Sequence, residues 1–424
     1  MRICVLVTLA ALGIARDSLS AQNVSVMAQA IPVVTRADPT ATRSALTEAY
    51  LSQPVIMAHA SWDWLQAVGT LNLEGLTLQR GELNTGGYGE GYVDRRHPHS
   101  YVHEALIGAT GHAAGFSAST FVGRGFVPFG SDDPMVRPFE KYPVNHHLAQ
   151  ILERVVAVGA VRRGPVIAEV ATFNGDEPLS PGSAPEYSRF GDSWSSRLTV
   201  LPLDGLEVSG SVARVKSPEV QSGHGLDQQK SSLDARFERD TQTSWHYALL
   251  EWAHTNETYA GQNVTSLHSV LGEAAACRWG LIGAVRGEQS DRPEEERLLD
   301  PFRTPRPPLD LSNLGVSRWT IYSASISAPA AHVSVVTGRP FVEVERLHVA
   351  AGDPAGIFNA EQRYGANRMW MLSAGVRLRV GSGHDRMGRY GVALPGAMSG
   401  GASGNSHESM PGMSMSHAQA SACD

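Results

Sequence analysis

Long apolar runs are the first thing this 424-residue chain lacks. After residue 21 no stretch of about 18 apolar residues occurs, so no helical transmembrane segment is expected. Cysteine is scarce: only Cys4, Cys277 and Cys423 are present, with no CxxC pair and no zinc-type spacing. Cys4 falls in a targeting segment. Cys277 then reads as a small apolar strand residue and Cys423 as a free thiol in a tail, with a Cys277–Cys423 disulfide as the alternative. Charge is sparse as well. Charged residues make up 18%, low for a soluble protein, yet a mean hydropathy of −0.17 is too polar for a helical membrane protein. There is no cationic excess: the formal net charge is −7 and the pI about 6.1, which argues against a nucleic-acid partner held through its phosphates. Catalytic signatures are missing too. No Gly-x-Ser-x-Gly elbow, phosphate-cradling loop or His-Glu-x-x-His occurs, so neither enzyme activity nor a required cofactor is expected.

What is present begins with a targeting pattern. Met1-Arg2 opens a short basic region, Ile3 to Ala15 is mostly apolar, and small residues follow near Ser18 to Ala21 and at Ala28-Gln29-Ala30. This is a secretory signal, residues 1–21, with cleavage after Ala21 or alternatively Ala30, and it implies export. Residues 22–55 show no useful periodicity. They read as a flexible periplasmic leader, with a short helix near Ala41 to Tyr50.

From Trp62 to Val380 the chain is a series of short alternating runs separated by Gly, Pro, Asp, Asn and Ser. In Trp370 to Val380 one parity is Trp, Leu, Ala, Val, Leu, Val and the other Met, Ser, Gly, Arg, Arg. A period of two over that length fits a strand with one apolar and one polar face, long enough to cross a bilayer core. Leu198 and Val200, then Leu206, Val208 and Val212, repeat the pattern around the turn Pro202-Leu203-Asp204-Gly205. The parity flip across Gly75 reads as a bulge, and 149–161 reads as a strand despite the helical spacing of Leu148, Ile151, Leu152 and Val155. About fourteen runs can be counted, with twelve to sixteen as the bracket, and a bacterial barrel needs an even number. The expected fold is therefore all-β: a transmembrane antiparallel up-and-down β-barrel over residues 56–383, followed by a Gly/Ser/Met/His-rich tail, 384–424. A soluble exported all-β binding protein is the alternative, but a sandwich needs an apolar inner face.

The polar parity supplies pore-lining candidates: Arg197, Arg236, Arg318, Glu343, Glu345, Arg377 and Arg379. Such side chains select what passes a pore. The segment from Val122 to Phe139, with Gly125-Phe126-Val127-Pro128-Phe129-Gly130 and Asp132-Asp133-Pro134, supplies constriction candidates Arg124, Asp132, Asp133 and Arg137. Here the chain resembles the phosphate-selective-porin-like group of outer-membrane proteins, in which a Gly-x-x-x-x-Pro-Phe-Gly run enters a loop; this copy has one residue fewer between. The resemblance implies a barrel with an inward constriction loop, but no lysine ladder can be matched. His146-His147 reads as structural, because neighbouring strand residues point to opposite faces.

In the tail, His407, Met410, Met413, Met415 and His417 form a soft ligand set suited to Cu(I), similar to segments of copper-resistance outer-membrane proteins. The last clear strand ends at Val380, and Arg386 to Leu394 reads as a late strand or closing segment. The expectation is an outer-membrane, porin-like channel for small polar or ionic solutes, with copper handling as an alternative. Its partners would be membrane lipids, the barrel assembly machinery and further copies of itself.

Overall fold

The computed structural model describes residues 23–39, 44–77, 100–144, 146–178, 180–241, 243–295, 313–352, 356–357, 359–382 and 386–394. Alternation becomes strand over most of this length. The strands are β1 (Asn23–Asp38), β2 (Leu46–Trp62), β3 (Leu65–Asn72), β4 (Val102–Ala113), β5 (Phe116–Gly125) and β6 (Arg154–Arg163). They continue as β7 (Val166–Phe173), β8 (Ser193–Leu203), β9 (Leu206–Val215), β10 (Asp227–Asp240), β11 (Ser244–Tyr259) and β12 (Gln262–Arg278). The last are β13 (Leu281–Glu295), β14 (Asn313–Ser327), β15 (Ala331–Val333), β16 (Val336–Ala351) and β17 (Arg368–Ser382). Each pairs antiparallel with its neighbour, and β1 pairs with both β2 and β17, closing the sheet. The three-residue β15 pairs only with β16, so sixteen strands form the circumference. Closure leaves no open sheet edge, so the wall's backbone groups are paired from strand to strand apart from local bulges.

The two ends differ. At one end lie tight turns such as Ala114-Gly115 and Trp279-Gly280, where both residues have positive φ. That mirror-image turn matches the strand twist and favours glycine at its second position. β1 starts and β17 finishes at this short-turn end, with Val26 opposite Ser382. The other end carries the long connections, including 73–101, 126–153 and 174–192.

Outward residues are apolar around the circumference: Val34, Val122, Val170, Leu198, Leu250, Val285, Ile326, Val342 and Leu372 are all exposed. Exposed Trp194 and Trp370 lie toward the long-loop end, and Trp64, Phe116 and Trp279 at the short-turn end. Such aromatic margins are typical of a bilayer interface. Inward residues include buried Glu104, Glu169, Arg197, Asp234, Glu251, Glu273, Arg286, Glu343 and Glu345. This is the reverse of a soluble core.

The largest apolar sector of the inner wall lies on β1, β2, β14, β16 and β17, with smaller ones elsewhere. Met27, Ile31 and Val33 of β1, Trp319 and Ile321 of β14, Leu347 and Val349 of β16, and Met369 and Met371 of β17 are buried there. They pack on Phe126, Met135, Tyr142, Val144 and Leu152, which belong to the connection between β5 and β6. Each large side chain so buried stabilises the fold by about 1.5–3 kcal/mol. The core of this barrel is thus made where a loop enters it.

Several expectations are corrected. Residues 22–55 are not a flexible leader, and no helix forms near residues 44–50, because Asn23–Asp38 and Leu46–Trp62 are full barrel strands. Those two account for sixteen strands instead of about fourteen. Ala30 lies inside β1, opposite Leu378. Gly75 marks no bulge: β3 stops at Asn72, and α1 (Glu74–Thr77) is a helical turn. Likewise α2 (His146–Ala149) is helical, and β6 begins only at Arg154. A third helical turn, α3 (Ala360–Tyr364), lies between β16 and β17. Arg386 to Leu394 is not a strand, and it enters the lumen. Cys277, on the inner parity of β12 and 1% exposed, is disulfide-bonded, so it is more than a small apolar strand residue; Cys423 lies outside the described residues.

Candidate functional site

The interior is shaped by two inward segments. The first, residues 126–153, leaves β5 through Phe126, Val127 and Phe129, all buried. Gly130 makes its turn with φ +66, and a Cβ there would meet the Ala149 carbonyl oxygen at 1.7 Å. Only glycine allows the two limbs of this loop to touch. Asp133 then caps the 3-10 turn Pro134–Val136, accepting from the Met135 amide at 2.8 Å.

The wall grips this loop largely by its main chain. Gly130 N donates to Ser211 Oγ at 2.9 Å, and its carbonyl accepts from Arg197 Nη1 at 3.2 Å. Glu140 and Lys141 amides donate to the Glu343 carboxylate at 3.1 and 3.2 Å, and the Val144 amide donates to Glu288 at 2.9 Å. Arg286 donates to Lys141 O at 2.9 Å and Lys230 to His147 O at 2.7 Å. Arg137 reaches Glu251 at 3.3 Å and Glu273 at 3.9 Å. Anchors therefore come from strands on all sides, so the loop crosses the lumen.

The second segment, residues 386–394, folds up from the short-turn end after β17. Arg386 pairs with Asp132 of the loop at 2.8 Å and donates to Glu207 of β9 at 3.0 Å. Arg389 reaches Glu169 at 3.3 Å, Thr199 at 3.0 Å and Ser209 at 3.3 Å. Tyr390 donates to Glu104 at 2.8 Å and accepts from the Phe126 amide at 2.9 Å. Arg197 holds the Gly388 carbonyl at 2.9 Å, and Arg162 the Leu394 carbonyl at 3.2 Å. Apart from Asp132 and Phe126, these polar partners lie on β4 to β9, so the segment's hydrogen bonds to the wall fall on one side.

Arg236 joins the same network, 3.0 Å from Asp132. Burial alone would raise the Asp132 carboxyl, but the Arg386, Arg236 and Arg389 guanidiniums outweigh it and hold that group well below the ordinary carboxylate range. Removing one partner from a buried pair of this kind costs about 3–5 kcal/mol. Two cavities open at the short-turn end beside this cluster, of about 830 and 400 Å³. Arg236, Glu238 and Arg386 line both.

Of the pore-lining candidates, Arg197, Arg236, Glu343, Glu345, Arg377 and Arg379 face the interior. Arg197 and Glu343 are buried by the inward segments they hold. Arg318 is a correction: its side chain is 46% exposed and paired with Asp291 at 2.8 Å. Trp319 and Ile321 take the inner parity of β14 because the wall there packs on the loop. Asp132, Asp133 and Arg137 belong to the crossing loop. Arg124 does not; it is half-buried toward the long-loop end, donating to Ser100 Oγ and, at 3.4 Å, to Ser183 O. His146 and His147 sit on a helical turn rather than a strand, with ring centroids 5.1 Å apart. Among the described residues no group of three His, Cys, Asp or Glu could hold a metal. His407, Met410, Met413, Met415 and His417 lie outside the described residues, as do residues 1–21.

Sequence reasoning missed Glu104, Glu169, Arg286, Glu288 and the roles of Arg386, Arg389 and Tyr390. The available signal was a lone charged residue on one parity of an otherwise Ala- and Val-rich strand, as at Glu169 in Val166–Phe173.

The fold and lumen define a class, a closed antiparallel β-barrel entered by two of its own segments. No family model matches this chain, and no curated protein matches it. Among solved structures, it is similar to an anion-selective porin from Comamonas acidovorans at 12% identity and a TM-score of 0.47, covering 85% of this chain and 100% of that one. It is also similar to OmpT, an outer membrane protein of Vibrio cholerae, at 10% identity and a TM-score of 0.46, covering 86% and 100%. OpdO of Pseudomonas aeruginosa matches at 8% identity and a TM-score of 0.38, covering 85% and 98%.

Proposed function

We propose that the chain is an outer-membrane channel of porin type, passing small polar or ionic solutes through a lumen narrowed by residues 126–153 and 386–394. The reading rests on one observation: the wall is apolar outside and carries ionisable groups inside. Only a bilayer core makes that exterior favourable, and a closed barrel is the strand solution that leaves no backbone group unsatisfied there. Lipids would then contact the exterior, residues 1–21 would direct export, and barrel assembly machinery would insert the chain.

Planar-bilayer recording of the refolded protein tests this. Discrete single-channel steps are expected, and removal of residues 386–394 should raise the unit conductance severalfold. If neither form gives steps in any salt, the channel reading fails.

A further inference from the structure

On the outer wall, β11 and β12 run as a hairpin to the long-loop end and turn tightly at Ala260-Gly261. Their inward residues Ala253, Thr255, Leu267 and Ser269 are buried, so His254 and His268 point away from the lumen. The register sets the two histidines directly opposite each other. Toward the middle of the barrel the outward residues are Leu250, Trp252 and Val270, and toward the turn they are Asn256 and Ser266. Trp252 thus marks the local edge of the apolar belt, and the histidines form the first polar row beyond it.

The two imidazoles lie face to face, with centroids 4.3 Å apart and planes 14° from parallel. Trp252 stacks on His254 from the apolar side, with centroids 6.1 Å apart. Directly opposed strand residues have their Cβ atoms about 4.5–5.5 Å apart, close enough for both rings to reach one ion. A neutral imidazole offers one lone-pair nitrogen. Its χ2 torsion is soft, so each ring can swing that nitrogen toward a shared point while the backbones stay paired. Among the described residues no carboxylate completes the pair. Asp291 of β13 accepts from the His268 amide at 3.1 Å, but Arg318 holds both of its oxygens, at 2.8 and 3.2 Å. The rest of a coordination sphere is therefore left to water. Two nitrogens on rigid strands suit late divalent metals, which favour imidazole, over Mg²⁺ or Ca²⁺, which take oxygen.

We propose that His254 and His268 chelate one divalent late-transition-metal ion, Ni²⁺, Cu²⁺ or Zn²⁺, on the outer wall toward the long-loop end. The bound ion staples β11 to β12 from outside. Strand pairing holds both ligands in place before the ion arrives, and that preorganisation sets the pair above a single surface histidine. The site faces away from the lumen and shares no residue with the tail set of His407, Met410, Met413, Met415 and His417. It therefore stands whether or not the chain conducts.

The test is calorimetric titration of the full chain, refolded in detergent, with Ni²⁺ and Zn²⁺ in separate arms. Saturable binding of at least one ion is expected. His254→Gln and His268→Gln should each weaken it by about tenfold or more, because one ligand is left without its chelate partner. His332→Gln, on the short strand β15, should leave it unchanged. Hydrogen exchange gives a second reading. The ion should slow exchange of the β11 and β12 amides around the pair in the unaltered chain and in neither variant. Heat-modifiable gel mobility shows whether each variant has folded, and having two single variants guards against one that does not. No saturable binding of either ion overturns the proposal. So does undiminished affinity in either folded variant, which would place the ion elsewhere on the chain or on one ring alone.

Discussion

The two inward segments close the same space in different ways. Residues 126–153 are gripped through main-chain amides and carbonyls by partners on β8, β9, β10, β13, β16 and β17. Their apolar side chains also fill the sector formed by β1, β14, β16 and β17. Residues 386–394 make their polar contacts through Arg386, Arg389 and Tyr390, mostly with β4 to β9, and bury Met387, Tyr390, Val392 and Ala393. A loop bonded all round is part of the fold. A segment whose charged contacts fall mostly on one side should open more readily than the loop, without dismantling the barrel.

The largest effect should come from breaking the first segment. Gly130→Val places a side chain where φ is +66 and the Ala149 carbonyl oxygen is 1.7 Å away. A loss of more than about 4 kcal/mol is expected, seen as failure to refold to the heat-modifiable form. A Gly130→Val protein that folds normally would erase the distinction drawn between the segments.

Asp132→Ala should act more locally, by leaving Arg386 and Arg236 with Glu207 as their one remaining shared carboxylate. Hydrogen exchange over residues 386–394 should accelerate by about two orders of magnitude, while amides of β12 and β13 stay protected. Equal acceleration in those strands would show that the segment is integral to the barrel.

The smallest effect concerns pH. Asp132 is held below its ordinary value, so its contribution is fully present above about pH 4 and is lost only as the pH falls through the lower folded value. After correction for the intrinsic rate, protection of residues 386–394 should be unchanged from about pH 8 to pH 5. A drop within that window would mean that another group controls the segment.

The sequence was most legible where the two faces of a strand differ chemically. β17 alternates Trp370, Leu372 and Ala374 with Met371, Ser373 and Arg377, and both its strand and its facing were readable. β1 was not: Val24, Val26 and Val34 face out, while Met27, Ile31 and Val33 share the inner parity with Gln29 and Thr35, so neither parity is uniformly polar. The same cause misplaced Arg318, since a polar residue normally marks the inner face, and here Trp319 occupies it. The glycine-containing run at Gly125 to Gly130 did signal an inward loop. Nothing in Arg386 to Leu394 distinguishes a lumen segment from a strand, because its partners Glu104, Glu169 and Glu207 are more than 170 residues away in the chain.

By itself the sequence determined the period-two wall, the tight turns and the apolar exterior, because these depend on neighbours one or two residues apart. Tertiary structure alone decided which inner faces are dry, which arginines are paired with carboxylates and which, like Arg377, donate to the carbonyls of the crossing loop. Those outcomes depend on what crosses the lumen, and residues 126–153 and 386–394 have their partners on strands far away in the chain.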